Sequence, residues 1–242
     1  MKLLAGTSGY AFKEWKGSFY PADLKDDGWL AYYASRFPSV EINNTFYRLP
    51  KESVLRDWAS QVPETFTFAI KASQRITHMA RLKEEAASPL EYLLRTTSSL
   101  GSRLGPILFQ LPPNLKKDVN RLKGFLGLLP KGRRFAIEFR HESWFDDDVA
   151  TLLREHDVAM CVAEQDDFKC PVLATASWGY LRLHRLDYDE TALTEWAKCV
   201  GEQGWSEAYV YFKHDEANGN GTVCGPSAVD AFVKCCEVRA AS

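Results

Sequence analysis

Alternation between apolar, β-rich runs and helical segments is the feature that most limits the folds open to this chain. Eight short runs rich in Val, Ile, Leu, Phe and Tyr recur along its 242 residues. The runs are KLLAGTSG from Lys2, SVEINNTFY from Ser39, TFTFAIKA from Thr65, PILFQLPP from Pro106, RFAIEFRH from Arg134, VAMCVAE from Val158, GYLRLHR from Gly179 and EAYVYFKH from Glu207. Such runs predict strands, and helical patterns separate most of them. The sequence therefore predicts an α/β fold built from strand–helix units.

The number of these units favours a (β/α)8 barrel. The candidate helices are GWLAYYASRF, ESVLRDWASQ, SPLEYLLRTTSSLG, DVNRLKGFLGLL, DDDVATLLREH and ETALTEWAKCVGEQG. Eight units in about 250 residues match a TIM-type barrel, whereas an open doubly wound sheet more often has about five to seven strands. We predict one TIM-type barrel domain over residues 1–242. The connection QDDFKCPVLATASW, between the sixth and seventh strands, contains Pro171 and no helical period, so it is expected to be irregular.

Charged and polar residues occupy one face of the predicted strands. In RFAIEFRH, Ile137 and Phe139 point one way while Glu138 and Arg140 point the other, because successive strand side chains alternate. The same alternation in the other strands gives an inward polar set near the C-terminal strand ends, where barrel enzymes have their active sites. The inward polar set is Glu41, Asn43, Lys71, Gln110, Glu138, Arg140, Arg182, His184, Tyr211 and Lys213.

The inward polar set contains more positive than negative charge. Counting His as neutral, its formal charge is 4 − 2 = +2, from Lys71, Arg140, Arg182 and Lys213 against Glu41 and Glu138. A cationic interior favours a small anionic partner, so we predict a phosphorylated or carboxylated substrate at the barrel mouth.

The residue types suggest acid/base chemistry at this mouth. Lys71, Arg140 and Arg182 are expected to hold the anion and to stabilise developing charge. Glu138 is the candidate general base, and His184 the candidate acid or proton shuttle, because its pKa moves readily across neutrality. The other members of the inward polar set are expected to bind substrate. The reaction would be of the hydrolase or the isomerase/lyase type.

Two alternatives without catalysis compete with this hypothesis. The charges could form structural pairs that fill the barrel interior, such as Glu138 with Arg182 or Glu41 with Lys71. The mouth could also belong to a binding module for an anionic ligand or single-stranded nucleic acid, with aromatic loop residues stacking on the bases.

A divalent metal is a further alternative. Its ligands would be Glu41, Glu138 and His184, with Glu164 or Asp215 completing the set. Four cations at the same mouth would repel a metal ion, so no cofactor is expected.

Composition and motifs exclude several other classes. A net charge of −2, from 30 basic and 32 acidic residues, argues against duplex nucleic acid. The N-terminal apolar run is too short for a signal peptide or membrane span, so no membrane association and a cytoplasmic location are expected. The six cysteines form no CxxC pair, so reduced thiols are expected. The chain lacks the GxGxxG, GxxxxGK[ST], HExxH and GxSxG motifs.

Several motifs, taken together and in order, resemble the YecE-like family, domain of unknown function 72. They are GTSGY, VEINNTFYRLP, FAIKAS, GPILFQLPP, AIEFRHESWF, YLRLHR and YVYFKHD. The resemblance covers nearly the whole chain and implies a single TIM-type barrel, with no reaction to carry over. The family usually has YFNND at the last strand, whereas this chain has Lys213 and His214 in place of the two Asn residues before Asp215.

Overall fold

A computed structural model describes residues 1–165, 168–214 and 223–241 of the chain. The strands are β1 (Lys2–Thr7), β2 (Ser39–Ile42), β3 (Thr67–Lys71), β4 (Leu104–Gln110), β5 (Phe135–Glu138), β6 (Ala159–Met160), β7 (Val162–Gln165), β8 (Phe168–Lys169), β9 (Gly179–Leu183) and β10 (Glu207–Phe212). The α-helices are α1 (Trp29–Arg36), α2 (Glu52–Ser60), α3 (Ala87–Thr97), α4 (Val119–Leu126), α5 (Asp147–Glu155), α6 (Glu190–Glu202) and α7 (Gly225–Ala241). Strands and helices alternate along most of the chain, which confirms the predicted α/β class.

The strands form two five-stranded sheets that are almost entirely parallel. The strand order is β1-β10-β9-β7-β8 in the first sheet and β2-β3-β4-β5-β6 in the second. Only the pairing of β7 with β8 is antiparallel among the strands described. The hydrogen bonds of the described strands do not form one continuous ring. The predicted α/β fold with parallel strands is therefore confirmed, whereas a closed barrel is not observed among these strands.

Two interruptions separate the sheets. The predicted sixth strand divides at Cys161 into β6, which pairs with β5, and β7, which pairs with β9. At the other edge, a single parallel bridge between Ser8 and Glu41 joins the end of β1 to β2. The backbones approach closely there, because a Cβ on Gly6 would lie 1.9 Å from the carbonyl oxygen of Ser39. Glycine is therefore required at residue 6.

The connection from β7 to β9 is irregular, as predicted. It contains β8, and its described residues include no helix. The Thr175 hydroxyl donates to the carbonyl oxygen of Val158 at 2.8 Å and accepts from the amide of Met160 at 2.7 Å. These two bonds attach the connection to the start of β6.

Apolar side chains divide between the two faces of the strands. A large cluster joins strand residues such as Val40, Phe68 and Ile137 to helix residues such as Leu55 and Leu153. A smaller cluster contains side chains of the opposite parity: Leu4, Ala69, Leu108, Ala136, Ala159, Cys161, Ala163, Cys170, Trp178, Tyr180, Tyr209 and Tyr211. The helices therefore cover one strand face, and the inward polar set lies on the other, as the alternation predicts.

Aspartates begin three of the helices. Backbone amides of Arg121, Asp148 and Ala192 donate to the carboxylates of Asp118, Asp146 and Asp189, at the N-termini of α4, α5 and α6. These bonds satisfy amides that have no partner within a helix. None of the described helices has the length and apolarity needed to cross a bilayer.

Candidate active site

Glu41 is a fully buried carboxylate near the end of β2 that accepts hydrogen bonds from both sheets. Its oxygen Oε1 accepts from the Tyr180 hydroxyl at 2.8 Å and from Arg182 Nε at 2.9 Å. Its oxygen Oε2 accepts from Ser8 Oγ, Asn43 Nδ2 and Arg182 Nη2 at 2.5, 3.0 and 3.2 Å. Five donors saturate this carboxylate, which makes its burial tolerable.

Glu138, the last residue of β5, is a second fully buried carboxylate. Gln110 Nε2 and Arg140 Nε donate to its Oε1 at 2.8 and 2.5 Å. Arg182 Nη1 donates to its Oε2 at 2.7 Å. Arg140 also donates a hydrogen bond from Nη1 to Oε1 of Gln165, at 3.3 Å. Glu138 is therefore held by two guanidiniums and an amide.

Arg182 connects the two carboxylates. It lies in β9, in the first sheet, while Glu41 and Glu138 belong to the second, so its guanidinium joins the sheets across their inner face. Burial opposes ionisation of Glu41, but the charge of Arg182 and hydrogen bonds from neighbouring hydroxyls outweigh it and lower the pKa to about 2. Burial likewise opposes ionisation of Glu138, but Arg182 and Arg140 lower its pKa to about 2. Both carboxylates are ionised at neutral pH.

The hydrogen bonds around Ser8 determine the tautomer of His184. Ser8 Oγ lies 2.5 Å from Oε2 of Glu41 and 2.8 Å from Nε2 of His184. Because an ionised carboxylate only accepts, the Ser8 hydroxyl donates to Glu41, and its oxygen accepts from Nε2–H of His184. Burial, followed by the charge of Arg182, lowers the pKa of His184 to about 3, so the ring is neutral. Its Nδ1 atom is therefore the unprotonated nitrogen.

Lys71, the last residue of β3, lies beside this network with its side chain half-buried. Its Nζ atom is 4.7 Å from the centre of the Phe46 ring. Burial, followed by repulsion from Arg182, lowers the pKa of Lys71 to about 8. Among the described residues, Nζ has no hydrogen-bond acceptor. Glu41 and Glu138 are matched by Arg140 and Arg182, so Lys71 is the unbalanced charge of these five groups.

The loop after β3 contacts Phe46, the ring beside Lys71. It begins with a π-helical turn at Arg75–Met79, a rare conformation that is frequent at functional sites. His78 in this turn packs edge-on against Phe46, with ring centres 4.9 Å apart. Arg81 and Leu82 both have positive φ, 51° and 61°, which is costly for residues with a Cβ. Met79 and the neighbouring Tyr47 are highly exposed, at 67% and 75%.

The structure brings most of the predicted site residues together. Seven members of the inward polar set form one hydrogen-bonded network with Ser8, Gln165 and Tyr180, and we call this the central network: Glu41, Asn43, Gln110, Glu138, Arg140, Arg182 and His184. The pairing considered for Glu138 with Arg182 is present, whereas Glu41 pairs with Arg182 and not with Lys71.

Three members of the inward polar set are not among these seven: Lys71, which lies beside the central network, Tyr211 and Lys213. The Tyr211 hydroxyl lies 2.6 Å from Ser39 Oγ. Lys213 follows β10 and is half-buried. His214 is the second residue at which this chain departs from the family pattern. Its ring stacks on Phe12, with ring centres 4.3 Å apart, and its backbone carbonyl accepts a hydrogen bond from the Trp15 indole at 3.0 Å. Its side chain therefore packs under the loop after β1.

Sequence reasoning missed Ser8 and gave Tyr180 no role. Ser8 is the residue just after β1, so its position at a C-terminal strand end was the available signal. Tyr180 has the inward alternation, and its contact with Glu41 depends on the geometry between the sheets.

The proposed metal ligands do not converge among the residues described. Glu164 faces Tyr188 and Trp196, whose hydroxyl and indole N–H donate to its Oε2 at 3.0 and 2.9 Å. Asp215 lies outside the described residues. No group of three or more His, Cys, Asp or Glu side chains with metal-binding geometry occurs in the part of the chain that the structure covers.

The chain is similar to a family of proteins described as being of unknown function, DUF72, whose model matches residues 4–224. It is 35% identical to the UPF0759 protein YecE of Escherichia coli (strain K12) over 117 residues, which are 48% of this chain and 43% of YecE. It is 33% identical to the UPF0759 protein YunF of Bacillus subtilis (strain 168) over 140 residues, 53% of this chain and 48% of YunF. The matched regions thus span just under half the length of these relatives.

Solved structures share the fold. A DUF72 family protein of Thermotoga maritima superposes with a TM-score of 0.80 at 25% identity, covering 100% of both chains. A DUF72 family protein of Enterococcus faecalis gives 0.77 at 16% identity, covering 97% of this chain and 95% of that one. D-psicose 3-epimerase, solved in the presence of D-fructose, gives 0.52 at 11% identity, covering 100% of this chain and 97% of the epimerase.

Proposed function

The chain belongs to the DUF72 family, and from that premise we propose that it is an enzyme acting by proton transfer on a small carboxylated or phosphorylated substrate. The substrate would bind where the strands of the central network end. One observation carries this proposal: Lys71 Nζ and Nη2 of Arg140 have no acceptor among the described residues, although the neighbouring Glu41 and Glu138 are both paired with arginines. Half-buried cationic donors of this kind are suited to an anion.

We assign proton transfer to Lys71 rather than to Glu138. Glu138 already accepts three hydrogen bonds, and its lowered pKa makes it a weak base at neutral pH. The pKa of Lys71 is close to the pH at which enzymes work, so it can both release and accept a proton. Glu138 then positions Arg140 and Arg182, and His184 offers an unprotonated Nδ1 to the substrate.

We further propose that the two sheets are parts of a single (β/α)8 barrel domain over residues 1–242. The bridge between Ser8 and Glu41 at one edge and the continuous chain through Cys161 at the other support this arrangement. Superposition on the epimerase supports it at the level of the fold. A mouth at the C-terminal strand ends would then have the position usual for barrel enzymes.

A binding module without catalysis is the second candidate. The low pKa of both buried carboxylates favours it, because neither is then a competent base at neutral pH. The exposed Tyr47, beside Phe46 and Lys71, could stack on a sugar or on an unpaired base of single-stranded nucleic acid. Neither candidate requires a metal. None of the six cysteines, all of which lie in the part of the chain that the structure describes, forms a disulfide, which supports a cytoplasmic location.

Phosphate titration tests the anion site directly. We expect inorganic phosphate to bind the wild-type protein, with affinity about tenfold to hundredfold lower in Lys71→Met, since a hydrogen bond to a charged group contributes about 1.5–3 kcal/mol. Lys51→Met, at an exposed position before α2, is the matched control and should bind phosphate normally. Equal phosphate affinity of Lys71→Met and the wild type would refute the proposed site.

A substrate screen separates the two candidates. Phosphoesters and hydroxy or oxo acids that compete with phosphate are incubated with the protein, and products are measured by NMR. Turnover that Lys71→Met abolishes supports the enzyme. Binding of these compounds at the same site without turnover of any supports the binding module.

A further inference from the structure

The surroundings of Lys71 are those of a reactive amine. Its backbone is fixed, because the Thr45 hydroxyl donates to the Lys71 carbonyl at 2.7 Å and the next amide, of Ala72, donates to Leu108 at 2.8 Å. The Phe46 ring covers one side of Nζ. The amine is therefore held at a strand end, beside an apolar ring and without an acceptor among the described residues.

Burial and nearby positive charge together favour the neutral form of this amine. Burial lowers the pKa of Lys71 most, and Arg182 lowers it further; Glu41 and Glu138, which both pair with guanidiniums, raise it, and Arg140 adds a smaller repulsion. With its pKa at about 8, Lys71 is about one-tenth neutral at pH 7, compared with less than about one part in a thousand for an ordinary lysine. A desolvated lysine next to another cation is a recognised form of activated nucleophile.

Other nucleophilic side chains near the central network are less suitable. The Ser8 hydroxyl donates a hydrogen bond to Glu41, and the pKa of this carboxylate is too low for it to deprotonate the hydroxyl. Burial raises the pKa of the Cys161 thiol well above its usual value and that of Cys170 to about 11. These thiols stay protonated at neutral pH and are weak nucleophiles.

We propose that Lys71 forms an imine with the carbonyl carbon of a short oxo acid or a phosphorylated aldehyde or ketone. The neutral amine attacks the carbonyl carbon, one N–H proton passes to the former carbonyl oxygen, and the resulting carbinolamine loses its hydroxyl group and the second N–H proton as one water to give a C=N bond. The step consumes no oxidant or reductant. The anionic part of the substrate would bind at Nη2 of Arg140, which has no acceptor among the described residues.

This inference rests on the proposed function, because the same mouth must bind the anion, but it adds a covalent step. It also narrows the substrate to compounds that carry a carbonyl and an anion within a few bonds of each other. Imine formation would acidify the neighbouring C–H bond, which suits reactions of the isomerase/lyase type.

Reductive trapping with pyruvate tests the inference. The protein is incubated with pyruvate and sodium cyanoborohydride at pH 7, and the adduct is located by intact mass and peptide mapping. We expect one adduct per chain at Lys71, formed about 100-fold faster than at any exposed lysine, as the difference in neutral fraction implies. Phosphate should slow the labelling by competition.

Two variants make the outcome decisive. Lys71→Arg keeps the charge but lacks a nucleophile, so it should bind phosphate and form no fast adduct, whereas the control Lys51→Arg should react as the wild type does. Fast labelling that persists in Lys71→Arg, or equal labelling of all exposed lysines, would overturn the imine inference. If phosphate still binds in that case, the proposed function survives the loss of this step; if the wild type does not bind phosphate, the proposed function itself fails.

Discussion

Replacing Glu138 by Gln tests whether the central network stabilises the fold. The carboxylate accepts from Gln110 and Arg140 at one oxygen and from Arg182 at the other. A glutamine amide has one acceptor oxygen, so its NH2 group must face at least one of these donors. The substitution therefore removes a charge and also leaves a buried donor without an acceptor.

The expected loss of stability follows from the pKa of Glu138. A decrease from 4.5 to about 2 corresponds to about 3 kcal/mol at neutral pH. Removing one partner of a buried ion pair costs about 3–5 kcal/mol, which agrees with this value. For a chain of this size, the melting temperature should fall by about 6–20 °C.

The pH dependence gives a second readout with a definite sign. Because the native pKa of Glu138 is below the unfolded value, its stabilising contribution is complete above about pH 4.5 and disappears as the pH falls towards 2. Wild-type stability should decrease over this range, and the decrease should be smaller in Glu138→Gln.

Thermal and urea unfolding of both proteins provide the measurement. The control is Glu52→Gln, because Glu52 forms an exposed pair with Arg56 at 3.3 Å, worth about 0.3–0.5 kcal/mol. A Glu138→Gln protein that melts within about 2 °C of the wild type, with the same acid profile, would show that the network does not support the fold.

Three further predictions concern the sheet edge, Glu164 and metals. Gly6→Ala should be strongly destabilised or fail to fold, because its Cβ would meet the Ser39 carbonyl. Gly124→Ala, which has open space around it in α4, should raise the free energy of unfolding measured in urea by about 0.5–1 kcal/mol. The reverse order of stability would contradict the close approach of β1 and β2. Glu164→Gln should lower the melting temperature without weakening phosphate binding, since Glu164 contacts Tyr188 and Trp196, and weaker binding would place it at the mouth instead. Dialysis against a strong chelator should change neither the melting temperature nor phosphate affinity, and a parallel loss of both with a stoichiometric divalent ion would restore the metal hypothesis.

Strand alternation was sufficient to predict which residues share a face. Glu41, Glu138 and Arg182 each lie on strands that the sequence identifies, and alternation places all three on the side away from the helices. The division of the sixth strand at Cys161 could not be predicted, because it depends on hydrogen-bond register between neighbours rather than on apolar pattern.

The pairing of charges was beyond sequence reasoning for a different reason. A face contains several acids and bases, and the partners are decided by side-chain reach across the sheets. Arg182 is long enough, with three donor nitrogens, to satisfy Glu41 and Glu138 together. Lys71, with one nitrogen, has no carboxylate partner among the residues described. The sequence predicts an excess of positive charge, to which Lys71 and Lys213 both contribute, but it does not predict that Lys71 lies beside two carboxylates already paired with arginines.

The pKa of Lys71 makes phosphate affinity depend on pH in a way that the sequence alone does not predict. Lys71 is charged below its pKa of about 8 and neutral above it, so phosphate affinity should fall as the pH rises through about 8. Trapping by pyruvate needs the neutral amine, so its rate at saturating pyruvate should rise over the same interval. Bound phosphate stabilises the charged form of Lys71 and should move the midpoint of the binding profile upwards, whereas the midpoint of the trapping profile without phosphate reports the pKa of Lys71 in the free protein. Phosphate affinity should therefore decrease, and the trapping rate increase, as the pH rises. Lys71→Arg should remove the pH dependence of phosphate affinity between about pH 7 and 9, after correction for the ionisation of phosphate itself. If this dependence persists unchanged in Lys71→Arg, a different group titrates at the mouth and the role assigned to Lys71 is wrong.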